Sequence, residues 1–510
     1  MKALIPILIF SATTAFAQPN VQWSQNFGGS GDDNISGVVQ ATDGNYVMAG
    51  TSNSSDGDLS SNSGTWDVWL AKFNNSGTVL WEYSYGGSLA DQAIDLISTA
   101  DGGYAIVGYT NSTDGDVSNT QGLRDVWVLK FDAVGTLQWE ETFGGSWNDY
   151  GYAIDQTSDG GYIVAGTTQS DDGDVVGQYG QYDVWVIKLS ASGSLQWQNT
   201  IGGTDYEEAR SVEQTSDGGY IVCGRSGSSD GDISVNLGDW DTWVAKLDAS
   251  GAIVWEKSFG GTSTDYGFQV RQTTDGGYIV AGSTYSEDVD VVGAHDGVEL
   301  WNVKLDASGN MEWQHPMGGW SSDWGSDILE TADGGFLTVG SSRSDDGDLT
   351  ENRGGLDVWL IKTDAAGSIL WQFTTGGTSA DEGYYLAPTM DGGYIIGANT
   401  LSDDVDVNGN YGSRDIWIVK VEPEPVGIDE LSSNEMTVGP VPAKEQVLLT
   451  LSQPVQNAPL ELVDNSGRTV WRSTMQGTQK MIPLQILVSG VYHLSVQLLN
   501  GVMTRRIVVE

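Results

Sequence analysis

The apolar positions of this chain gather in short runs that return, in the same order, every 58 residues. In the third unit and its continuation, Gly151–Thr157, Tyr162–Thr168, Asp183–Leu189 and Leu195–Ile201 each hold four or more apolar, aromatic or β-branched residues between turn-forming stretches. Runs of that length and composition predict strands. The third run is apolar on both faces (Val184, Trp185, Val186, Ile187), as expected of a strand covered from both sides. The phrase that marks the period is TSDGGYIVAG. Its Asp stands at 43, 101, 159, 217, 275, 333 and 391, without insertion or deletion. Such a period signals a repeat architecture, in which each unit needs its neighbours to bury its apolar faces.

The connections support four strands per unit. Asp159-Gly160-Gly161 predicts a hairpin turn with positive φ between the first two strands, and Asn45, at the second glycine's place in the first copy, suits left-handed backbone. Ser190-Ala191-Ser192-Gly193 predicts a type I turn closed by a left-handed glycine between the last two. The ends of the array decide closure. Val21–Phe27 is a fourth strand with no third before it, and Asp415–Val421 a third strand with no fourth after it. If each supplies the other's missing partner, the array closes. The expected fold is all-β: a seven-bladed propeller closed by its N-terminal strand, then a small C-terminal β-sandwich.

Two tryptophan columns repeat with the same period, from Trp23 to Trp371 and from Trp69 to Trp417; both suit packing between blades. A lysine follows each member of the second column by three residues, Lys72 to Lys420. The repeat stops at Glu422-Pro423-Glu424-Pro425, so the expected organisation is a leader over 1–17, a propeller over 18–421, a linker over 422–435 and a last domain over 436–510. The leader combines Lys2, the apolar run Ala3–Phe10 and Ala15-Phe16-Ala17, the form of a secretory signal peptide cut before Gln18. Its apolar run is shorter than the roughly 20 residues needed to span a bilayer, so no membrane-spanning segment is expected after cleavage. The last domain predicts strands at Gln446–Leu451, Leu460–Val463, Thr469–Arg472, Val491–Leu498 and Val502–Val509, the final pair joined at Asn500-Gly501.

Composition narrows the partners. Sixty-nine acids against 22 Lys and Arg give a formal charge of −47, which disfavours nucleic acid and anionic membranes and favours cations or basic partners. Twenty Trp and 20 Tyr argue for packed cores in spite of that charge. A lone cysteine, Cys223, excludes an intrachain disulfide and reads as a small apolar strand residue.

The unit DVWVIKLSASGSLQWQNTIGGTDYEEARSVEQTSDGGYIVCG resembles the SBBP β-propeller repeat of secreted bacterial proteins, and its layout parallels the WD-repeat blade. The last 75 residues resemble the type IX secretion sorting domain of Bacteroidota. The resemblance rests on Gly439-Pro440-Val441-Pro442-Ala443, LELVDNSGRTVW and the terminal SGVYHLSVQLLNGVMTRRIVVE, with Val441 where the family has Asn. It implies the type IX machinery as a partner, removal of this domain, and an extracellular or outer-membrane-surface location.

Five acidic columns begin at Asp33, Asp43, Asp56, Asp58 and Asp67 and take up thirty-five of the 69 acids. Four of them belong to the connections expected on one face, which would gather about twenty-eight carboxylates there. In those loops Asp171, Asp172, Asp174 and Asp183 are candidates for Ca²⁺, the one cofactor in view, which takes six to eight oxygens. Against it, Val289 and Val405 replace the loop glycine in two copies, where β-branched residues resist positive φ. Asp in such turns also serves as an Asx cap. Trp147, Trp320 and Trp324 break the repeat and are candidates for binding a glycan or protein. Non-repeating aromatics also include Trp66, Tyr150, Tyr179, Trp240 and Tyr411. No Ser-His-Asp, Cys-His or HExxH pattern is present, and the three histidines share no column; His295, Asp296 and Glu299 make the fifth unit the most divergent. The expectation is a non-catalytic binding or adhesion module, with a secreted polysaccharide-acting enzyme as the alternative.

Overall fold

Burial explains the blade before its topology is traced. In all seven units the third strand is buried at every residue, from Asp67–Phe73 to Asp415–Val421. The computed structural model describes residues 18–509 apart from 296, 350, 425–435, 440–442, 465–467, 486, 499 and 500. The leader, most of the linker, Asp296, Pro440–Pro442 and Asn500 lie outside the described residues. All named elements are strands, and no helix among the described residues is long and apolar enough to cross a membrane.

Seven four-stranded antiparallel sheets follow one another. In the third, Asp149–Gln156, Tyr162–Thr168, Asp183–Leu189 and Leu195–Ile201 pair in chain order. Its first strand starts two residues before the expected Gly151, because Asp149 and Tyr150 already pair with Thr168 and Thr167. The seventh sheet closes the ring: Val21–Phe27 lies antiparallel to Asp415–Val421, with Ser24 opposite Val419 and Phe27 opposite Ile416. First strands contact the first strands of adjacent blades and so line the centre. First-to-second and third-to-fourth turns share one face. Second-to-third loops and blade-to-blade connections share the other.

The tryptophan columns occupy different shells. Trp69, Trp127, Trp185, Trp243, Trp301, Trp359 and Trp417 are fully buried. The other column sits on the outer strands and reaches into the next blade: Trp139 meets Tyr162 edge-on at 5.7 Å and covers Gly193, whose φ is +82°. There a side chain would need both a left-handed backbone and the space of the indole. Each Lys of the repeat bonds the Asp of TSDGGY, as with Lys188 and Asp159 at 3.1 Å, and from Lys130 to Lys420 each also donates to the carbonyl of the residue after it. The pairing recurs in all seven units. Cys223 is buried and free, and burial pushes its thiol far up from the usual range.

Two turn arguments need correction. Positive φ falls on the first glycine of Asp-Gly-Gly (Gly160, +83°) and not on the second, so left-handed tolerance does not explain Asn45. The second glycine is confined instead by contact, since a Cβ on Gly161 would lie 2.2 Å from the Leu189 carbonyl. In the acidic loops, Val289 and Val405 do adopt the left-handed conformation, both at φ 59°, because the loop backbone imposes the geometry of Gly173 (+67°) on them. A left-handed L-residue costs roughly 1–2 kcal/mol, partly offset by the chain entropy of about 0.5–1 kcal/mol that glycine loses. Val289→Gly and Val405→Gly should therefore each raise the melting temperature slightly, since both valines are exposed and give up little burial. A lower melting temperature for both would refute this strain.

The chain divides into two compact units at Glu424/Pro425, within the expected linker. In the second, Gln446–Leu451 and Leu460–Val463 merge into one irregular strand, Gln446–Asp464, paired with Thr469–Pro483. Met436–Gly439 is an added strand, and Gly490–Leu498 pairs with Gly501–Val509. All five form one hydrogen-bonded sheet whose register shifts between Thr450 and Ala458. Both halves contribute to a single core that includes Val447, Leu449, Leu462, Met475, Leu494 and Ile507.

Candidate functional site: the channel mouth and the blade seams

Seven copies of one blade make a symmetric ring, so a site for one asymmetric ligand must be built from positions where the copies differ. Those positions concentrate on the first strands, which line a central cavity of about 1020 Å³. Alternate residues of these strands point inward, and they vary: Ser36, Ile94, Tyr152, Arg210, Phe268, Ser326 and Tyr384 occupy one column. The cavity wall carries Asp95, Asp155, Glu213, Asp327 and Glu382 against two arginines, Arg210 and Arg271. Arg271 is held by Asp327 at 3.1 Å and donates to the Ile328 carbonyl. Burial pushes the Asp95 carboxyl up to about 6 and that of Glu213 to about 7, and it raises Asp155 as well. Tyr385 crosses the wall, donating its hydroxyl to the Ile94 carbonyl two blades away.

At the acidic-loop face the cavity opens between aromatic and arginine side chains. Arg225 lies 3.8 Å over the ring of Trp240 and 5.0 Å over Tyr266, and bonds Glu208 at 3.1 Å. Tyr206 stacks on Trp240 at 4.9 Å and donates to Glu208. Arg210 pairs with the same carboxylate and covers Tyr152 at 4.3 Å. Trp324 stands beside Tyr285 and Tyr266 at 5.8 and 6.5 Å. A side pocket of about 210 Å³ lies among Glu208, Arg225, Tyr266, Phe268 and Trp324.

The three candidate tryptophans therefore do not form one site. Trp324 belongs to the mouth. Trp147 and Trp320, 52% and 62% exposed, sit on blade-to-blade connections three blades apart; Trp320 has His295 beside it at 5.6 Å. Trp66 lines the cavity and Trp240 the mouth, while Tyr179 and Tyr411 are exposed. The arginines and carboxylates of the mouth are legible in the sequence only as non-repeating columns inside the first two strands, away from the loop aromatics.

The acidic face also differs from expectation. Half of its four columns are buried: the fourteen carboxylates beginning at Asp33 and Asp67 are all within 1% of full burial. Asp171 and Asp172 are exposed, Asp174 is half-buried and Asp183 buried, so the four Ca²⁺ candidates do not converge. Asp172 caps the connection by accepting from the Ser146 amide at 2.7 Å and from its hydroxyl. Among the described residues no three His, Cys, Asp or Glu side chains are gathered to hold a metal.

The buried carboxylates lie in the seams between blades. Asp149 accepts from the Thr168 hydroxyl, from Ser170 Oγ at 2.8 Å and from the Gly145 amide at 2.9 Å. Across the seam, Asp125 accepts from the Gln121 amide through Oδ2, while its Oδ1 has no partner. That Oδ1 and Asp149 Oδ2 converge on one side of Gly144, 2.5 and 2.7 Å from where a Cβ would stand. Burial, offset in part by the Gln121 amide and reinforced by the charge of Asp149, raises the Asp125 carboxyl to about 6; Asp241 and Asp415, in matching seams, stand at about 7.

Comparison with known proteins adds the following. Residues 437–510 match the family model of the "Secretion system C-terminal sorting domain". A curated relative, "Regulatory protein FlaEY" of Caulobacter vibrioides, is 23% identical over 367 residues; the match covers 65% of this chain and 38% of that protein. Among solved structures, PorZ of Porphyromonas gingivalis, described as an essential bacterial surface component of the type-IX secretion system, aligns at 12% identity and a TM-score of 0.43. That alignment covers 95% of this chain and 60% of PorZ. The Neurospora crassa Pan2 WD40 domain aligns at 10% identity and a TM-score of 0.43, covering 78% and 90%. The chain is thus a β-propeller repeat protein whose C-terminal unit is a type IX secretion sorting domain, which marks it for export to the cell surface or beyond.

Proposed function

We propose that the exported chain is a non-catalytic binding module, whose ligand enters the channel mouth from the acidic-loop face. In this reading the leader over 1–17 is cleaved, the sorting domain engages the type IX machinery and is removed, and the propeller is released or displayed. One observation carries the binding role: the ring loses its sevenfold symmetry at the mouth, where the half-buried Trp240, Tyr206, Tyr266 and Trp324 gather around Arg225 and Glu208. Flat aromatic faces next to paired hydrogen-bonding charges suit a glycan, and they also suit a protein side chain.

The polysaccharide-acting alternative has its own support, since the carboxyls of Glu213 and Asp95 are pushed toward neutrality inside the cavity, where an acid catalyst would need them. A glycan array followed by titration of the best binder tests the first reading. Trp240→Ala and Trp324→Ala should each weaken binding about tenfold, since losing one aromatic contact of about 1.4 kcal/mol corresponds to that factor. Trp147→Ala should leave it unchanged. Binding indifferent to both mouth variants would refute the site, and turnover of the bound glycan lost in Glu213→Gln would favour the enzyme.

A further inference from the structure

We propose that the blade seams are cation sites, each taking a hard divalent ion of the Ca²⁺ kind between two buried carboxylates of adjacent blades. The first carboxylate opens a third strand, as Asp125 does. The second opens the first strand of the following blade, as Asp149 does.

The unpartnered oxygens carry the inference. Asp67 Oδ1, Asp125 Oδ1, Asp183 Oδ1, Asp241 Oδ1, Glu299 Oε2, Asp357 Oδ1 and Asp415 Oδ1 are all buried without a hydrogen-bond partner. This is every member of the column, and each side chain is at least 99% buried. Each Asp in the column brings that oxygen to within 2.4–2.8 Å of where a Cβ would stand on Gly28, Gly86, Gly144, Gly202, Gly260 or Gly376, a residue with no side chain to bond it. At Gly86, Gly144, Gly260 and Gly376 an oxygen of the neighbouring blade's carboxylate faces the same point. A buried anionic oxygen without a donor is costly, and one repeated sevenfold against a second anion calls for a positive charge between them. The second carboxylate is already saturated by hydroxyl and amide donors, so it has no proton donor to offer its partner.

Residue choice separates this from turn capping. In the third-to-fourth turns the capping position bonds the chain as Asn74, Asp132 or Ser190, so neutral and charged residues serve equally. The fourteen seam positions are carboxylates without exception, and Glu207 and Glu299 change length while keeping charge. The seams need the charge. With two carboxylates per seam, the remaining ligands must be backbone carbonyls and water, a set Ca²⁺ accepts. Affinity in the range of extracellular Ca²⁺ modules, about 10⁻⁴–10⁻³ M, is then expected. Two seams hold basic side chains nearby: His295 Nδ1 is 2.6 Å from Glu299, and Arg353 bonds Asp406 at 2.8 Å. These should bind more weakly than the seams of Asp125 and Asp241.

Calorimetric titration of Ca²⁺ into the chelator-stripped full chain, paired with thermal melts, tests the proposal. Several ions per chain should bind saturably, and the melting temperature should rise with Ca²⁺ beyond its rise in NaCl of equal ionic strength. Asp125→Asn with Asp241→Asn should remove two of the bound ions. Asp172→Asn with Asp230→Asn, which alters exposed acids of the same face, should remove none. Absence of saturable heat, an equal rise in NaCl, or binding lost only with the exposed pair would each overturn it. The melts of the unaltered chain decide the matter even if a seam variant fails to fold.

Discussion

Deleting residues 18–27 should lower the melting temperature more than any single substitution, and should turn a closed ring into an open, association-prone one. Val21–Phe27 is the fourth strand of the seventh blade, and its loss leaves the edge of Asp415–Val421 unpaired. Open edges recruit other strands. The deletion also strips the first blade: Phe27 is 1% exposed and packs on Phe73 at 4.7 Å, while Trp23 meets Tyr46 at 5.5 Å. Phe27→Ala alone should cost about 3–5 kcal/mol by analogy with buried aromatic truncations. Light scattering with thermal melts would show the effect. A peptide spanning residues 18–30, added to the shortened chain, should restore part of the lost stability. A shortened chain that melts like the intact one would refute closure by this strand.

Acid should unfold the propeller over a narrow window, because seven equivalent ion pairs titrate together. Each aspartate of this turn accepts from its own turn and a nearly buried Lys, and six of the seven also accept from the Thr two residues before, as Asp159 does from Thr157, Gly161 and Lys188. These bonds hold Asp101, Asp159, Asp217 and Asp275 down at about 2, below the ordinary 3.8, and lower Asp43, Asp333 and Asp391 too. A carboxyl depressed in the fold contributes stability above its unfolded pKa and loses it as pH falls through the folded value. The loss therefore belongs between about pH 4 and about pH 2. Asp95 and Glu213, raised in the fold, act in the opposite sense and higher up, between about pH 7 and pH 4. Melting temperatures taken across pH 7 to 2 should hold or rise to about 4, then fall steeply. Lys188→Met, which removes one partner, should lower the plateau and flatten the fall. A profile without a break near 4 would refute the ion-pair ring.

The way this architecture could be read from residues follows from its repetition. Strand runs, turn glycines and the tryptophan columns are local or periodic properties, so each of seven copies restates them. Closure was legible because the count of third and fourth strands failed to match at the two ends. The left-handed Val289 shows where residue preference misleads: the surrounding loop imposes a backbone that valine alone disfavours. The acidic face shows it again, since equal spacing in sequence does not distinguish an exposed Asp172 from a buried Asp183.

What the amino-acid order determined by itself was the unit, its number and its sorting tail, because short-range pattern and period suffice for them. What only the tertiary structure decided was the pairing of columns. Lys188 meets Asp159 from 29 residues away, Asp125 faces Asp149 across a blade seam, and Arg225 reaches Trp240 and Tyr266 from separate strands. The first needs only the fold of one blade, whereas the seam pair and the approach of Arg225 to Tyr266 need neighbouring blades packed side by side in the closed ring.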